Sequence, residues 1–64
     1  MKHYPINSGD AAKIAGGSFT LAELKTFFNA LALDIESDKA AALPTDGKER
    51  LLKKLEGLVN VWVN

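Results

Sequence analysis

Thr20-Leu21-Ala22-Glu23-Leu24-Lys25-Thr26-Phe27-Phe28-Asn29-Ala30-Leu31-Ala32-Leu33 is the stretch on which the fold turns. Thr20 stands three residues before Glu23, the spacing of a capping box in which each side chain satisfies the other residue's backbone amide. Leu21, Leu24, Phe28 and Leu31 recur at intervals of three and four, and Phe27 and Ile35 widen the row into a stripe. Glu23, Lys25 and Asn29 fall off it. The spacing predicts a helix over 20–33, with Phe19 just outside the cap as a hydrophobic staple.

Beyond that helix, Ser37 would cap a short helix over 38–43, which ends at Pro44 because proline disfavours helical geometry in the residue before it. Thr45-Asp46-Gly47 reads as a turn. Asp46 and Glu49 repeat the capping spacing and open a second main helix over 47–59. Its apolar face is Leu51, Leu52, Leu55, Leu58 and Val59, with Lys48, Arg50, Lys53 and Lys54 towards solvent. The end of this helix has two readings. Trp62 continues the helical stripe, whereas Gly57 weakens the helix and 59–63 alternates like a strand rich in β-branched residues. The second reading is preferred, with the helix ending near Val59 and a short terminal strand free to pair with residues 2–6.

Upstream, Pro5, Asn7, Ser8 and Gly9 make residues 1–9 an extended arm. A short helix over 10–15 follows, capped by Ser8 or Asp10 and ended by Gly16-Gly17. The expectation is one all-α, or mainly α, domain over 1–64 with two main helices and two short ones.

At 64 residues, a domain buries only about 60% of the surface its unfolded chain exposes, so its stability is modest. With no cysteine and 47% hydrophobic residues, an apolar core must carry the fold, and docking or oligomerisation would help it. Eight basic residues balance eight acidic ones, so no overall field draws the chain to nucleic acid or an anionic membrane. No window approaches the roughly 18 apolar residues of a membrane span. A cytoplasmic location is the default expectation, with a virion as the alternative.

The residues that carry chemistry elsewhere each lack a requirement here. His3 sits in the arm with no nucleophile at a telling spacing. Asp34, Glu36 and Asp38 alternate like calcium ligands, but Lys39 and Thr45 stand where that loop needs Gly and Glu. Gly16-Gly17-Ser18 lacks the Gly-Lys-Ser/Thr ending of a phosphate loop. No enzyme, cofactor, metal or small-molecule substrate is expected.

Two stretches carry a resemblance. Phe19-Thr-Leu-Ala-Glu-Leu-Lys25 through Leu33, with Leu43-Pro-Thr-Asp-Gly-Lys48-Glu-Arg-Leu-Leu-Lys-Lys-Leu55, resemble the helix, extended turn and helix of the SAP and HeH/LEM-like small domains. The resemblance covers about half the chain. It implies DNA binding if SAP-like, a protein partner if LEM-like, and a phage setting if HeH-like. Those families pass almost directly from the first helix to the Pro-Thr turn, whereas here 34–42 intervene with three acidic residues.

The leading expectation is a non-catalytic interaction module, phage-associated and structural or regulatory, that docks a protein partner or associates with itself. Tyr4, Val61, Trp62 and Val63 would make the contact, because exposed aromatics are preferred anchors. Trp62 closing the core is the alternative. A second expectation is a SAP-like nucleic-acid binder in which Lys48, Arg50, Lys53 and Lys54 hold phosphates at the start of the last helix.

Overall fold

Thr20 caps its helix as the spacing predicts. In the computed structural model, which describes residues 2–63 and of Val63 only the backbone, the Thr20 hydroxyl accepts from the Glu23 amide at 3.1 Å. The Glu23 carboxylate in turn accepts from the Thr20 amide at 2.9 Å. The helix that follows, α1, spans Leu21–Ala40. It does not end at Leu33 to be followed by a separate helix over 38–43. Nothing between Asp34 and Ala40 breaks helical geometry, so the expected connection is the last two turns of α1.

The stop is a Schellman motif. The Leu43 amide donates to the Asp38 carbonyl at 2.8 Å and the Ala42 amide to the Lys39 carbonyl at 3.1 Å, which satisfies carbonyls the helix end leaves open. Ala42 takes the left-handed conformation, φ 59°, where the motif usually places glycine. Pro44 follows and holds the chain out of the helix.

The second helix, α2, spans Asp46–Val63. Its cap lies one residue earlier than expected. The Thr45 carbonyl accepts from the Glu49 amide at 2.8 Å and the Thr45 hydroxyl donates to the Glu49 carboxylate at 2.8 Å, so Asp46 is already the first helical residue. α2 also runs through 59–63, and among the described residues no strand pairs with the arm. The stripe ending in Trp62 prevails over Gly57 and the β-branched alternation, because a lone ribbon would need a layer beneath it.

α1 and α2 form an antiparallel hairpin, and residues 2–19 wrap it. Leu21, Leu24 and Phe28 of α1 meet Val59 of α2 at 1% exposure or less, and Ile35, further along α1, is equally buried. Each such side chain contributes about 1.5–3 kcal/mol of transfer free energy. The wrap supplies Tyr4 and Ala15 to the same core, while Leu52 and Leu55 pack against it. The short helix expected over 10–15 is a single 3-10 turn, Asp10–Ala12. Asp10 does not cap it but turns inward. After it, Ile14 and Thr20 form an isolated antiparallel bridge, and Gly17 at φ 71° makes the turn between them. Among the described residues there is no other extended pairing.

Candidate docking face

The hairpin has two faces, and the chain covers only one of them. On the covered face the arm is held by side chains of both helices. Asn29 of α1 pairs with the backbone of Tyr4 in both directions: its carbonyl oxygen accepts from the Tyr4 amide and its amide donates to the Tyr4 carbonyl, each at 2.9 Å. The Tyr4 hydroxyl donates to the Asn60 side-chain oxygen of α2 at 2.6 Å. Its ring packs edge-on against Phe28, with centroids 4.8 Å apart. Lys2 pairs with Glu56 at 3.3 Å.

The arm and the 3-10 turn meet at Lys25. This lysine, 4% exposed, donates to the Pro5 carbonyl at 3.0 Å and to the Asp10 carboxylate at 2.6 Å, and Asp10 is 2% exposed. The ammonium of Lys25, then the Asn7 amide, holds the Asp10 carboxyl below its ordinary value of 3.8. Sequence periodicity placed Lys25 off the apolar stripe, and it does lie beside it. What periodicity could not show is that a carboxylate fifteen residues earlier would meet it there, out of water.

On the other face none of the described residues covers the seam between the helices. Phe27, Ala30, Leu31 and Asp34 of α1 and Leu51 and Leu55 of α2 line an open groove of about 520 Å³. Phe27 sits two residues from Asn29, about 200° of helical rotation away, so groove and arm lie on opposite sides of α1. Leu58 and Asn60 stand in the same relation on α2. Phe19 packs edge-on to Phe27, with centroids 5.5 Å apart, and so extends the apolar rim. Along α2, Leu51, Leu55, Leu58 and Trp62 recur at four, three and four.

This open side is what the periodicity of the sequence assigned to the core. The α1 stripe from Leu21 to Ile35 was wider than one partner helix can bury: Phe27, which widens it, and Leu31 of its main row are left in the groove, while Ile35 is buried. That excess width was the available signal. Among the described residues ten large apolar side chains are 43% exposed or more, against eight buried hydrophobic residues.

The expected docking residues divide. Tyr4 is 4% exposed and belongs to the core, so it leaves the docking set. Its hydroxyl has a half-buried partner in Asn60, and its ring replaces the strand pairing expected of the arm. Val61 at 76% and Trp62 at 45% are exposed. The side chain of Val63 lies outside the described residues. Trp62 also borders a small polar cavity of about 210 Å³ beside Lys13 and the Lys25–Asp10 pair.

The four basic residues divide too. Lys48 does not face solvent alone. It bridges Asp34 and Asp38 of α1, whose hydrogen bonds, that of Asp34 foremost, raise its pKa above the ordinary 10.5. Arg50, Lys53 and Lys54 are exposed and lie within about 100° of one another around α2, with Arg50 between the two lysines, so three of the four cations share its outer face. His3 is exposed in the arm. Among the described residues no three His, Cys, Asp or Glu side chains come together to hold an ion, and no helix is long and apolar enough to cross a membrane.

No family model, curated protein or solved structure matches this chain.

Proposed function

We propose that this protein is a non-catalytic interaction module that docks through the open face of its helical hairpin. The observation that carries the reading is the uncovered groove between Phe27 and Leu31 on one side and Leu51 and Leu55 on the other. Contiguous apolar surface of this kind, rimmed by charge, marks association sites in small proteins. Trp62 continues the α2 stripe in sequence, but its side chain borders the cavity beside the arm rather than the groove, so the docking reading rests on the groove residues. The covered face does the opposite work: the arm ties both helices together and holds the groove walls at a set spacing.

The test is photo-cross-linking from single positions in cells that express the protein. A photoreactive phenylalanine analogue at Phe27 or Leu51 should give discrete adducts, and the same analogue at Ser37, on the outer side of α1, should give none. Equal labelling from all three positions, or none from Phe27 and Leu51, would overturn the docking reading.

A further inference from the structure

We propose that the open face closes on a second copy of this chain, giving a four-helix bundle in which α1 of each copy lies against α2 of the other. The inference rests on the docking reading and names its occupant.

The first argument is the spacing. Phe27, Leu31 and Asp34 recur at four and three along α1, and Leu51, Leu55, Leu58 and Trp62 at four, three and four along α2. That is the alternation of a helix-packing seam, and a seam of this kind is filled by another helix. The hairpin presents two such seams side by side, so its natural complement is a second helical pair.

The second argument is charge. The α1 edge of the groove carries carboxylates: Glu23 stands four residues before Phe27, and Asp34, already bridged by Lys48 of the same chain, seven residues after it. The α2 edge is basic: Lys54 lies three residues after Leu51 and four before Leu58, and Arg50 one turn earlier. Among the described residues neither Arg50 nor Lys54 has an ion-pair partner within the chain. A two-fold axis parallel to the helices brings the acidic edge of each copy to the basic edge of the other, twice over. An axis across the helices would set acid on acid and base on base. With a formal net charge of zero, two copies meet without overall repulsion.

The third argument is area. The molecule measures 38 × 20 × 19 Å. A 38 × 20 Å outline, roughly 760 Å², is the most that face can project, so the whole face has to close on the second copy to approach the ~800 Å² each partner contributes to a standard interface.

The test uses the full chain alone, by sedimentation equilibrium. Wild type should weigh twice its 6.9 kDa, and the double variant Phe27→Glu/Leu51→Glu should weigh that mass once. Far-UV circular dichroism checks that the variant is folded, as expected for side chains 44% and 51% exposed in the single copy. Lys54→Glu, which faces the acidic edge, should weaken the dimer about five- to tenfold through two lost attractions. Lys53→Glu, about 100° further round α2 from the groove, should leave it unchanged.

A wild-type protein that stays monomeric at millimolar concentration overturns the inference, as does a dimer that survives Phe27→Glu/Leu51→Glu. An unchanged dissociation constant for Lys54→Glu overturns the α1-against-α2 arrangement. A monomer that still gives cross-links to another protein from Leu51 removes the second copy and keeps the docking reading. A monomer with no cross-links removes both.

Discussion

Ala42 shows how much a single residue can leave unoptimised. It occupies the left-handed position of the Schellman motif at φ 59°, where a β-carbon crowds the following carbonyl oxygen at a cost of about 1–2 kcal/mol. Glycine there would avoid that cost but lose more entropy on folding. Ala42→Gly should therefore stabilise the fold by about 0.5–1 kcal/mol, read as a higher urea midpoint at unchanged slope. Asp10 is the opposite case, a residue whose environment is tuned. Its carboxyl titrates below 3.8 in the native state, so its contribution is full above about pH 5 and drains away as pH falls through the depressed native value. Asp10→Asn should lower the thermal midpoint at neutral pH, and the two midpoints should converge in acid, as pH falls through the depressed native value and the wild-type carboxylate takes up its proton. None of this was legible from composition, because a depressed carboxyl depends on Lys25 arriving from another element.

The elements themselves were legible in proportion to how local their causes are. The Thr20–Glu23 box and the three-and-four stripe act within one turn, so the start and face of α1 could be read directly. The ends could not. α1 continues past Leu33 because Asp34, Glu36 and Asp38 suit a helix as well as a loop, and Lys48 from the next element settles the matter by bridging Asp34 and Asp38. α2 continues past Val59 because its last turns are held from outside, by Tyr4 on Asn60 and by Lys2 on Glu56. Gly57 then becomes a weakness that packing overrides. A β-carbon placed on it meets nothing within 4 Å, so Gly57→Ala should raise stability by about 0.5–1 kcal/mol, checked by denaturant titration. The candidate site was legible only in part: Trp62 and Val61 are exposed, Tyr4 is core, and the groove drew residues that periodicity counts as core.

At the scale of the whole molecule, a 64-residue chain has about 3–10 kcal/mol of stability to lose. Phe28 is 1% exposed and touches the arm through Tyr4. Phe28→Ala should cost about 3–5 kcal/mol, enough to bring the single copy near its unfolding midpoint at room temperature, seen as lost ellipticity at 222 nm. The arm adds a kinetic consequence. The contacts that hold the hairpin turn join residues about ten apart, whereas Tyr4 reaches Asn60 across 56 positions and Lys2 reaches Glu56 across 54. Closing so long a loop is slow to reward the growing structure, so the strap should latch after the barrier to folding has been crossed and release before it is recrossed. Tyr4→Phe, which removes one hydroxyl bond of about 1 kcal/mol, should then accelerate unfolding about fivefold in stopped-flow traces and leave the refolding rate as it was.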